Sequence, residues 1–201
     1  MAVVEQGIQA GVTGAQPARA STAIVPLTGL PIVGAVLVAL VVAIQSNSAW
    51  ALDFFHVVGG GLWTGVDLFM GFVIGPIMRR LSVPARVELT TRLMPKMLLI
   101  MPTLVTMTLA AGFQLARHSG FLLTSYPRHG WVVASMIVVA VMAVTALGLL
   151  QPANIAVLFE LRKPQPNPAI IGRLMKRFVV AAGITGAMQV ATLVIMTRLA
   201  S

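Results

Sequence analysis

The chain has 201 residues, of which 58% are hydrophobic and 9% charged, against about a quarter charged in an average soluble domain. That balance excludes an ordinary soluble fold and indicates a membrane protein. No cysteine is present, which removes disulfides, thiolate metal sites and thiol nucleophiles. The net charge of +9 is distributed between long apolar runs, as expected for loops that orient helices in a bilayer and not for a nucleic-acid surface.

Residues 1–23 are small and polar, with Glu5 and Arg19 as their only charges, and read as a disordered tail. A bilayer core of about 30 Å needs roughly 20 apolar residues in a helix. Runs of that kind lie at about 24–44, 54–78, 97–116, 130–155 and 178–197. They are continuous and do not alternate with period two, so the expected fold is all-α, a polytopic bundle of five transmembrane helices spanning residues 24–201. Ala49-Trp50-Ala51 matches a signal-cleavage pattern, but the first run is longer than a usual signal core of about 7–15 residues. The fourth run holds Pro152 and Asn154, where a kink or an exit from the hydrocarbon is expected.

With five spans, the tail and the loops after the second and fourth spans share one side. That side carries Arg19, Arg79, Arg80, Arg86, Arg92, Lys96, Arg162, Lys163, Arg173, Lys176 and Arg177, eleven of the fourteen basic residues. The positive-inside rule then predicts a cytoplasmic amino terminus and an outer carboxyl terminus, in the inner or plasma membrane.

The second span differs from the others because it carries ionisable groups, His56 and Asp67, with Asp53 just before it. An ionisable side chain at the centre of a span costs about 2.5–3.5 kcal/mol on insertion scales, so each should face a partner, water or a ligand. At about 100° per residue, Asp53, His56, Gly60, Trp63, Asp67 and Gly71 form one stripe, expected to turn toward the bundle. Gly59, Gly60, Gly61, Gly65, Gly71 and Gly75 let a neighbouring backbone or a flat ligand come close. Thr106, Thr145 and Gln189 lie at the depth of Asp67 as candidate partners. Two roles for Asp67 stand side by side: a proton or ion relay, and interhelix hydrogen bonding.

His56, His118 and His129 all fall toward the outer face. With Asp53 one turn before His56, they form a candidate copper or zinc site, and His56 alone is a candidate axial haem ligand. His118 and His129 each adjoin an arginine, Arg117 and Arg128, and read equally as interfacial polar residues. Met94, Met97 and Met101 follow helical spacing, with Met70 and Met78 at similar depth on the second span. Thioethers bind Cu(I), and methionine also fills gaps in apolar packing. No Walker loop, HExxH, GxSxG or haem-attachment motif occurs, and the glycines of Gly59–Gly65 lie inside a span and not after a strand.

The segments FHVVGGGLWTGVDLFMGFVIGPIMRRL and PKMLLIMPTLVTMTLAAGFQLA resemble CopD-like membrane proteins associated with copper resistance and, more distantly, HemJ-type protoporphyrinogen oxidases. The likeness is carried by His56, Trp63, Gly65, Pro76, Arg79, Arg80 and Gly112, and covers about residues 52–118. It implies copper handling, or haem b with His56 as axial ligand. Asp53 would orient the imidazole and Asp67 would hold or move a proton beneath. Two further expectations come from other classes: a non-catalytic subunit packing against other membrane chains or copies of itself through small residues such as Gly183 and Gly186, and a proton-coupled carrier.

Overall fold

The computed structural model describes residues 26–201, except for the side chains of Val83 and Pro168; the tail expected over residues 1–23 lies outside the described residues. Five long helices make up the molecule: α1 Leu30–Ser46, preceded by a 3₁₀ turn, α2 Ala49–Arg80, α3 Val83–His118, α4 His129–Arg162 and α5 Pro168–Ala200. All five are long and apolar enough to cross a membrane, and the described residues contain no strand. The chain is a multi-pass helical membrane protein.

Four of the helices outrun the apolar segments that define them. Their ends need no hydrocarbon match: Ser48 caps α2 by accepting from the Ala51 N–H, and prolines occupy the first turns of α3 and α5, where the missing N–H costs nothing. Asn167 caps α5, its Oδ1 accepting from Ala169 N and Ile170 N. Next to Pro152, where the sequence predicts a kink, the helix departs from regular α-helical hydrogen bonding. A single π turn at Ala146–Leu150 precedes that proline and the helix continues to Arg162. A matching π turn, Met70–Ile74, precedes Pro76 in α2.

The α2–α3 and α4–α5 connections lie together at one end, here the basic end, flanked by Arg79, Arg80, Arg162 and Lys163. The α1–α2 turn and the α3–α4 loop lie at the opposite end. The core is built by α2 to α5, with Trp63, Leu104, Val105, Met142, Ala146, Leu150 and Ala181 in one cluster. α1 contributes no residue to that cluster and packs on α3. Asn47, in the left-handed conformation at φ 51°, ends α1 and ties it to α3: its amide donates to His118 Nδ1 at 2.7 Å and its Oδ1 accepts from Gln114 Nε2 at 3.0 Å.

Candidate functional site

The buried face of α2 is marked by Leu52, Gly59 and Trp63. At 100° per residue, His56 and Asp67 lie roughly 40–60° from its centre, and Asp53 and Gly71 roughly 100° away. The stripe of polar and small residues therefore runs along the rim of the interface. His56 and Asp67 are half-buried, while Asp53, Gly65 and Gly71 are exposed. Around Gly65 and Gly71 the space is open, with no atom within 4 Å of where a Cβ on either would stand. The close approach falls on Gly59, where a Cβ would stand 2.7 Å from Thr108 Oγ1, and on Gly112 of α3, which lies under the His56 ring.

His56 reaches across this approach to α3, its Nδ1 lying 3.0 Å from the Thr108 carbonyl. A carbonyl only accepts, so Nδ1 carries a proton and is turned to α3, with Nε2 on the far side of the ring. The imidazole is thus oriented by Thr108 and not by Asp53. The other two histidines go elsewhere: His118 bonds Asn47, and His129 Nδ1 is buried without a partner. Among the described residues no three of His, Asp and Glu gather as metal ligands, so the histidine cluster expected with Asp53 is not assembled.

Asp67 is paired with one of its three expected partners. Gln189 on α5, 1% exposed, donates from Nε2 to Asp67 Oδ2 at 2.7 Å. To the ionised carboxylate the amide can only donate, and its Oε1 then points away, buried and without a partner. Thr145 instead bonds the Val141 carbonyl of its own helix at 2.9 Å, and Thr106 is exposed. Both were placed by depth along the span, which leaves the direction around the helix open.

Beside this pair lies a cleft of about 40 Å³, room for about two or three waters. It is walled by α2, α3, α4 and α5. Three thioethers face it, Met70 from α2 and Met97 and Met101 from α3, together with Asp67 and the amides Gln151 and Asn154 of α4. Asn154 is 3% exposed and its Oδ1 has no hydrogen-bond partner. Gln151 and Asn154 are site residues that the sequence alone did not single out; the signal was two amides i and i+3 on one face, on either side of Pro152. Of the methionine stripe, Met94 is 2% exposed in the packed interior and does not line the cleft.

The cleft gathers one carboxylate, two side-chain amides that can each donate and accept, and three methionines; of these the carboxylate and the thioethers suit a cation. No protein-family model, no curated protein and no solved structure matches this chain.

Proposed function

We propose that the protein is a membrane carrier that takes a monovalent cation into the cleft at Asp67, with Cu(I) as its cargo and a proton as the alternate occupant of the carboxylate. One observation carries this reading: Asp67 is held by a buried Gln189 at the wall of a cleft that is also lined by the amides Gln151 and Asn154 and by three methionines. A packing scaffold gains nothing from a carboxylate and an orphaned acceptor in hydrocarbon, because each costs free energy until a donor or a cation arrives. Thioethers favour Cu(I) over hard cations, and the carboxylate supplies the balancing charge. The resemblance to CopD-like proteins points to the same metal. The positive-inside rule puts the basic end in the cytoplasm and the His118 end outside.

The test uses the purified protein in liposomes, with Cu(I) or a pH gradient as the driving species and trapped metal and pH indicators as readouts. Uptake of Cu(I) that is lost in Asp67→Asn and retained in Asp53→Asn is the expected result. Equal fluxes through protein-free and loaded vesicles overturn the carrier reading.

A second reading, His56 as ligand to haem b or copper, is favoured by the Nδ1 contact to the Thr108 carbonyl, the kind of backbone hydrogen bond that orients a metal-ligating imidazole. A Soret band or bound copper lost in His56→Ala supports it; protein with neither signal overturns it.

A further inference from the structure

Two walls of the cleft share an irregularity. In α2 the Gly75 N–H bonds the Met70 carbonyl five residues back, and in α4 the Gln151 N–H bonds the Ala146 carbonyl in the same way. A proline follows each π turn as the second residue beyond it, Pro76 and Pro152. A proline ring crowds the carbonyl four residues back and offers it no N–H. Those carbonyls belong to Phe72 and Gly148, both inside the π turns, whose wider loop relieves the crowding. Met70, Ala146, Leu147 and Leu150 of the two turns line the cleft.

The segments beyond the two turns differ in how they are held. After the α4 turn, Ala153, Asn154, Val157, Leu158 and Glu160 are buried. Glu160 also accepts from Lys163 Nζ at 2.6 Å and from Asn167 N at 3.0 Å, anchoring the α4–α5 turn. After the α2 turn, Gly75–Arg80 has no buried residue, and neither has the π turn itself. On the other side of the turn, α2 is held tightly by Trp63 in the core and by Gly59 and His56 against α3. One helix thus joins a firmly packed half to a loosely held one through a turn already lacking a regular hydrogen bond, the arrangement expected of a hinge.

We infer that the Met70–Ile74 turn is the joint of a gate: Gly75–Arg80 swings about it at the basic end, and the flexing turn shifts its own first residue, Met70, at the cleft wall, while α4 stays as the fixed wall. This inference rests on the cation reading for its purpose but not for its test. The chain contains no cysteine, so an introduced pair provides the only labelling sites. Spin labels at Ile77→Cys and Phe159→Cys, both exposed positions, measure the gate against the fixed wall. Leu62→Cys with Ile137→Cys, also exposed, measures the packed halves.

The expected result is two distance populations for the first pair, their ratio shifted by Cu(I), and one narrow population for the second. Pro76→Ala, which restores the N–H, is expected to narrow the first pair to the width of the second. A single narrow distance for the first pair overturns the gate, and if Cu(I) still binds, the cation site stands without it. Two populations in a protein that binds no Cu(I) support the gate and overturn the cargo.

Discussion

The His56 imidazole lies on Gly112, fifty-six residues on in the next helix, so closely that no β-carbon fits between them. Gly112→Ala is expected to destabilise the protein by about 1–3 kcal/mol, as overpacking of a filled interface does. Gly65→Ala, with nothing within 4 Å of its Cβ, is expected to be neutral or to stabilise by up to about 1 kcal/mol through helix propensity. Thermal melts of the two variants in one detergent check the opposite signs, and a shared sign refutes the packing assigned to Gly112.

The Asp67–Gln189 pair predicts an asymmetry. Gln189→Leu leaves a carboxylate without its donor and is expected to cost about 1–3 kcal/mol, whereas changing both residues to leucine is expected to be far milder, because no buried polar group is then left unpaired. Asp67→Asn keeps an acceptor for the Gln189 amide and should fold while losing the cation. Melting temperatures and metal content, measured on the same preparations, separate the two effects.

Asn154 has an oxygen that bonds nothing. Asn154→Leu is therefore expected to leave stability unchanged or raised and to weaken Cu(I) binding, since a site residue tolerates a local cost that packing alone would remove. A competition titration beside a melting curve checks this; a large loss of stability with unchanged binding would make Asn154 a structural residue.

Asn167 begins α5 by accepting two backbone N–H groups. Asn167→Ala is expected to cost about 1 kcal/mol, and Asn167→Ser distinctly less. Hydrogen exchange at Ala169 and Ile170 localises the effect to the first turn.

The number of helices and the membrane class were legible because a run of about 20 apolar residues has few other uses. The importance of Asp67 was legible for the same reason, as a costly group needs a partner. Its actual partner was legible only as one of three. Gln189, Thr106 and Thr145 lie at one depth, and only the rotation of each helix decides that Gln189 faces inward, that Thr145 folds back on its own backbone, and that Thr106 faces outward. The histidines show the same limit: sharing one end of the bundle is a statement about height, and among the described residues no three of His, Asp and Glu converge. The cleft was illegible because its walls come from four helices and its shape follows from two π turns, for which proline is the only local sign.

The turn at Asn47 has a consequence for biosynthesis. The side chain that closes the α1–α2 hairpin finds its partners 67 and 71 residues downstream, at Gln114 and His118. Until the ribosome has released nearly the whole of the third helix, that amide has only water or headgroups to bond. The first hairpin must therefore enter the membrane unlatched, and is locked in place retroactively by the far end of a segment made later.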